Sequence, residues 1–102
     1  MKFLQIITTV PERKAGIKIV KLLLKEKLVS CCQIIGPVES HYWWKDRIEK
    51  GKEWLIFIKC KRENFKKVEK KIKENHPYEV AEIISFEISN LSGEYASYLE
   101  EI

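Results

Sequence analysis

The sequence predicts an α+β sandwich in which two helices cover one face of an antiparallel sheet, and three observations carry that expectation. The hydrophobic period switches between strand alternation and helical spacing in the order strand, helix, strand, strand, helix, strand. Each helical stretch has a single apolar stripe, enough to cover one side of a sheet and no more. At 102 residues, with 45% hydrophobic and 33% charged, the chain holds one packed core and has no room for a second, so residues 1–102 read as a single domain.

Phe3 to Thr9 is rich in Ile and Thr and stops at Pro11, which suits a strand that enters a helix with proline near its first turn. Through Lys27 the period is helical. Ala15, Ile19, Leu22 and Leu23, joined by Gly16 and Val20, form the apolar stripe, while Lys14, Lys18, Lys21 and Lys25 line the opposite side. Ser30 to Ser40 reads as a second strand with a bulge or bend at Gly36-Pro37, resuming through His41-Tyr42-Trp43-Trp44. The polar stretch Lys45 to Lys52 supplies one or two turns before Trp54 to Cys60, the strongest strand signal in the chain, so a long hairpin is expected. Arg62 to Asn75 carries a narrow stripe of Phe65, Val68 and Ile72, with Glu63 placed to meet Lys67 and Glu69 to meet Lys73. Pro77 ends this helix by excluding the preceding residue from helical geometry. Ile83 to Ile88 alternates as the last main strand, and Gly93 to Ile102 is a tail long enough for a short helix or strand.

This order is the ferredoxin-like split βαβ arrangement, here with an extended hairpin and a C-terminal tail. It leaves the second sheet face bare. Ile35, Tyr42, Trp43, Trp44 and Trp54 are more apolar and aromatic surface than a free monomer keeps in water, so Tyr42, Trp43, Trp44 and Trp54 are the expected contacts to another subunit.

The longest apolar run, Trp54 to Ile58, is far short of the roughly 18–20 residues that cross a bilayer, so no membrane span is expected. The N-terminus has one basic residue, a short apolar stretch and no small-residue cleavage site, and reads as a first strand and not a signal peptide. A cytoplasmic location is the default expectation. The three cysteines, Cys31, Cys32 and Cys60, are an odd count without CxxC spacing, which argues against a disulfide framework and a structural zinc site and fits reduced thiols. In a strand the adjacent Cys31 and Cys32 point to opposite faces and cannot grip one metal ion together.

Several collinear blocks carry a resemblance to a known family: Thr8 to Pro11 (TTVP), Leu28 to Ile35 (LVSCCQII), Ser40 to Trp44 (SHYWW) followed by Ile48-Glu49, Phe57 to Cys60 (FIKC) and His76 to Ile83 (HPYEVAEI). Together they resemble the CutA divalent-cation-tolerance family through nearly the whole chain. That resemblance implies a ferredoxin-like subunit, a homotrimer held by strands that pair between subunits, and a role in tolerance of divalent cations such as copper, as a metal-binding, small-ligand-binding or signalling module. Copper binding in the family uses a Cys at the position of Thr8 and a His pair at the positions of Asn75 and His76. Only His76 is retained as a good ligand, since Thr8 and Asn75 are poor ones. No cofactor is required, and the candidate metal is a divalent ion such as Cu(II).

From the residues alone, His76 reads as a helix C-terminal residue, and His41 as a packing residue of an aromatic strand with no carboxylate or thiol near it in sequence. Glu49, Lys59, Tyr78, Glu79 and Glu82 match the family's recurrent polar positions and converge either on a ligand pocket or on a network that fixes the trimer. No Gly-rich phosphate loop, nucleophile elbow or HExxH motif occurs, so no catalytic residue is assigned and the chain is not expected to be an enzyme. The alternative is an RNA-binding ferredoxin-like domain that uses the basic surface behind a net charge of +4. It is disfavoured because no basic and aromatic RNP strand is present and the lysines fall on helix faces away from the sheet.

Overall fold

The computed structural model describes residues 2–102. Its elements run β1 (Phe3–Val10), α1 (Arg13–Lys25), β2 (Cys31–Trp44), β3 (Arg47–Lys61), a 3-10 turn (Arg62–Asn64), α2 (Phe65–Asn75), β4 (Ile83–Glu87) and α3 (Gly93–Glu100). The four strands form an antiparallel sheet in the order β2-β3-β1-β4, which is the expected split βαβ topology. Among the described residues no helix is long and apolar enough to cross a membrane.

Strand alternation decides what lies on each face. Leu4, Ile6 and Val10 of β1 and Ile56, Ile58 and Cys60 of β3 turn to the helices, where Ile19 and Leu23 of α1 and Val68 and Ile72 of α2 complete the core. Each such fully buried aliphatic side chain contributes roughly 1.5–3 kcal/mol. Exposed ion pairs such as Lys73–Glu69 at 3.4 Å add less than about 1 kcal/mol, so packing and not surface charge holds the sandwich. Gly16 lets α1 seat closely, because a Cβ there would lie 3.2 Å from Ile56 Cδ1.

The first helix ends earlier than Lys27. The Leu28 N–H donates to the Leu23 carbonyl and the Lys27 N–H to the Leu24 carbonyl, the paired bonds of a Schellman terminus. That closure puts Lys27 at φ 56°, a left-handed position more often filled by glycine. In α2 the expected Glu69–Lys73 pair forms. The expected Glu63–Lys67 pair does not form among the described residues, because Glu63 lies in the 3-10 turn ahead of the helix.

Three further expectations are corrected. The hairpin turn is only Lys45-Asp46, with φ 49° and 65°. From Arg47 to Glu53 the chain is already strand, paired with Val38 to Trp44. Two successive left-handed residues match the twist of the flanking strands, so a tight turn suffices where a polar loop was expected. Second, the face opposite α1 and α2 is not wholly bare. The tail forms α3 against the start of β2: Ser30 Oγ donates to the Leu99 carbonyl at 3.3 Å, and the Tyr98 hydroxyl donates to the Ser30 carbonyl at 3.4 Å. Phe3 and Leu99, both buried, lie outside the main core cluster. Third, Trp54 is not on the open face. It packs against the helix-side core, its ring seated where a Cβ on Gly36 would lie, 2.6 Å from Trp54 Cδ1. The break at Gly36-Pro37, which shifts the register between Ile35 and Val38, is what makes room for that ring.

The open part of the second face remains apolar. Ile35, Ile84 and Phe86 are exposed on it, and Tyr42 and Trp44 continue it onto the hairpin. Across the hairpin, Trp43 pairs with Ile48 on the reverse side, 71% and 68% exposed. The molecule is correspondingly elongated, 45 × 26 × 22 Å.

Candidate functional site

Pro77 stops α2 and leaves His76 as its C-cap residue, extended at φ −90° and ψ 137°. From there the ring turns back onto the sheet. His76 Nε2 lies 2.7 Å from the Thr9 carbonyl, and the Tyr78 N–H donates to Nδ1 at 3.0 Å. A carbonyl only accepts and an amide N–H only donates, so the neutral ring with its proton on Nε2 satisfies both. This clamp fixes where the segment beyond the helix leaves the end of β1.

Tyr78 is carried into place by that clamp, its ring centroid 5.1 Å from that of His76. Its hydroxyl donates to Glu53 Oε2 at 2.7 Å. Glu53 sits on the open-face side of β3 and is only 8% exposed. Burial, reinforced by the bond to Glu53, pushes the Tyr78 hydroxyl above its ordinary value, which keeps it the donor and the carboxylate the acceptor.

A cleft of about 570 Å³ opens over this pair, floored by Thr9, Glu53 and Leu55 and walled by the hairpin and by the segment Pro77 to Glu82. The alternation of β2 and β3 sends Ser40, Tyr42 and Trp44 into the hairpin wall. The volume is that of a pocket for a small molecule.

Of the residues singled out from the sequence, Tyr78, Glu79 and Glu82 do converge on this cleft, as do Tyr42 and Trp44. Glu49 does not. It lies further out on the hairpin opposite Tyr42, 3.9 Å from Arg47. Lys59 is at the opposite end of the sheet, beside Cys31 in register and donating to Gln33 at 3.3 Å. Glu53 was missed. Its signal was a carboxylate placed at the start of the strongest strand run, where alternation turns it inward beside the aromatic hairpin.

The matched metal positions do not assemble a ligand set. The Thr8 hydroxyl faces the core and has no partner there, the Asn75 amide donates to the Lys71 carbonyl at 2.9 Å, and both ring nitrogens of His76 are in use. Among the described residues no group of three or more His, Cys, Asp or Glu side chains comes together. His41 is exposed and not packed, at 2.7 Å from Glu39 Oε2, a carboxylate two residues earlier that sits on the same strand face. Cys31 and Cys32 do face opposite ways. Cys31 Sγ lies 3.4 Å from the Tyr95 hydroxyl, while Cys32 packs on the core, where burial raises its thiol to about 12.

The family model described as CutA1 divalent ion tolerance protein matches residues 4–102. The divalent-cation tolerance protein CutA of Pyrococcus horikoshii is 34% identical over 94 residues, covering 92% of this chain and 91% of that protein. The chloroplastic protein CutA of Arabidopsis thaliana is 33% identical over 92 residues, 90% of this chain and 50% of that protein, so the chain spans about half the length of this plant relative. The crystal structure of the stable protein CutA1 from the psychrotrophic bacterium Shewanella sp. SIB1 matches with a TM-score of 0.94 at 33% identity, covering 98% of this chain and 94% of that one.

Proposed function

The chain belongs to the CutA1 divalent ion tolerance protein family, and from that premise we propose that it is a non-catalytic homotrimeric binding module of divalent-cation tolerance whose ligand site is the Glu53–Tyr78 cleft. The observation that carries the reading is the part-buried hydrogen bond between Tyr78 and Glu53 at the floor of an open cleft. The pair faces a space large enough for a small molecule, and a few placed polar groups in such a cleft are what fixes a ligand's orientation.

The trimer is supported by the edges of the sheet. β2 and β4 are its unpaired edge strands, different in sequence and length, so pairing one copy's β2 with another's β4 is a head-to-tail contact that must close into a ring. Such a ring would cover the exposed Ile35, Ile84 and Phe86 and place the cleft at a subunit boundary. A binding role and not turnover fits the histidines. His41 bonds Glu39 and His76 bonds backbone groups, so the hydrogen-bond partners of both rings are groups other than a serine or cysteine nucleophile. Copper uptake through His76 alone would be weak, since one imidazole with both nitrogens engaged is a poor site. RNA binding has less support. Lys14, Lys18, Lys21 and Lys25 are exposed on α1, in the layer opposite the open-face aromatics, so base stacking and phosphate contact could not act together. Reduced thiols fit the cytoplasm as the compartment.

The reading is tested by calorimetric titration of the purified assembly with divalent chlorides and a small-molecule panel, with tryptophan emission followed in parallel. Saturable binding that Tyr78→Phe or Glu53→Gln weakens, at unchanged assembly mass, is the expected result. If those substitutions shift only the thermal midpoint and no ligand titrates, the pair is a brace and the reading is wrong.

A further inference from the structure

Resting on that reading, we infer that the cleft selects an organic cation, an ammonium or guanidinium group carried on an apolar body. The charge of the lining is the first reason. The chain has 19 Lys and Arg residues and a net charge of +4, yet the cleft is lined by Glu53, Glu79 and Glu82 with no Lys or Arg. Three carboxylates and the imidazole of His41 thus line a cleft in a chain that is basic overall, a local balance that favours cations over anions.

Glu53 is the second reason. Glu53 as a residue is 8% exposed and one carboxylate oxygen is taken by Tyr78. The other has no protein partner among the described residues, yet it is not sealed from the cleft, since the only sealed unpartnered side-chain atom there is Thr8 Oγ1. A buried carboxylate with one open oxygen is poorly compensated until a donor carrying positive charge reaches it, and a charge-assisted hydrogen bond is the strongest contact that can do so.

The walls give the third. Tyr42, Trp44 and Tyr78 line the same space, and an ammonium is attracted to such ring faces. Trp44 already shows the preference, with Lys45 Nζ 5.6 Å from its ring centroid. Leu55, Val80 and Pro77 supply apolar surface for the body of the ligand. A bare divalent ion fits less well, because no three of the candidate ligands converge on a point and a divalent ion needs several oxygens at once.

The probe is phenethylammonium chloride, with 2-phenylethanol as its neutral analogue and phenylacetate as its anionic one, titrated calorimetrically into the full chain in its native assembly. The ammonium should bind saturably and at least about tenfold more tightly than either analogue, the factor one charge-assisted contact supplies. Glu53→Gln should weaken it by a similar factor while the assembly mass stays unchanged. Should that variant fold poorly, Glu79→Gln with Glu82→Gln, both at exposed positions, gives a second arm and should weaken binding several-fold. Glu100→Gln, paired with Lys2 at 2.9 Å outside the cleft, should leave it unchanged. Equal binding of the alcohol or the carboxylate, or indifference to both cleft variants, overturns the inference. So does an intact assembly that takes no ammonium, as when a second copy's side chain fills the space. A divalent ion that titrates the cleft where the ammonium does not would overturn this inference and leave the broader reading standing. A cleft that takes neither would overturn both.

Discussion

Thr8 is a hydroxyl in an aliphatic setting. It is fully buried on β1 between Ile56 and Ile83 in register, and its Oγ1 has no partner among the described residues. A buried hydroxyl left unbonded costs about 1–3 kcal/mol, so Thr8→Val should stabilise the protein by about 1 kcal/mol, read as a higher urea midpoint with an unchanged slope. A lower midpoint would mean that the hydroxyl finds a partner in the assembly. The thiols make a second prediction at this scale. Burial raises Cys32 to about 12 and Cys60 to about 11 from an ordinary 9.0. Between those limits the unfolded chain has lost protons that the folded chain keeps. Stability is therefore undiminished below about pH 9 and falls as pH rises above it, by up to about 1.4 kcal/mol per pH unit for each thiol. Cys32→Ala with Cys60→Ala should flatten that alkaline loss in a pH series of urea midpoints, and an equally steep loss in the variant would assign it elsewhere. Residue identity alone could not announce the partner of Glu53. Tyr78 lies beyond a whole helix from it, and the two meet only because the clamp at His76 aims the Tyr78 segment over the strand.

At the scale of elements, periodicity made both main helices and every strand legible, because each has one face that must be apolar. The hairpin tip was not legible. Lys45-Asp46 carries no glycine or asparagine, the residues that normally mark left-handed positions, and the lysines that follow look like loop while serving as the solvent face of a strand. The tail's helix was ambiguous for a different reason. Leu99 is its only buried residue, too little for a helical stripe to show. The bend at Gly36 was legible as punctuation, but its purpose was not, since that depends on the Trp54 ring arriving from β3. A methyl group at Gly36 would sit 2.6 Å from that ring and 3.1 Å from the Glu53 carbonyl oxygen. Gly36→Ala should accordingly cost about 1–3 kcal/mol, with tryptophan emission shifted to the red as Trp54 is displaced. A variant with parent-like midpoint and spectrum would show that the bulge yields freely.

For the whole molecule, the sheet presents two unlike edges and one half-covered face, and the hairpin is apolar on both sides. Exposed Ile35, Ile84 and Phe86 on the sheet, with Trp43 and Ile48 at the tip, are surfaces that water disfavours and that a second and third copy can bury. The same association would give the cleft its final wall and would make stability depend on protein concentration. The partly bare aromatic face was legible in outline from the split βαβ order; that Trp54 packs on the helix side and not on that face was not. The measurement that tests assembly most directly is sedimentation equilibrium across a hundredfold range of about micromolar concentrations, in parallel with a Trp43→Ser, Ile48→Ser variant. The account predicts three times the chain mass for the parent throughout and a lower mass for the variant. A parent that sediments as a single chain at every concentration would contradict it.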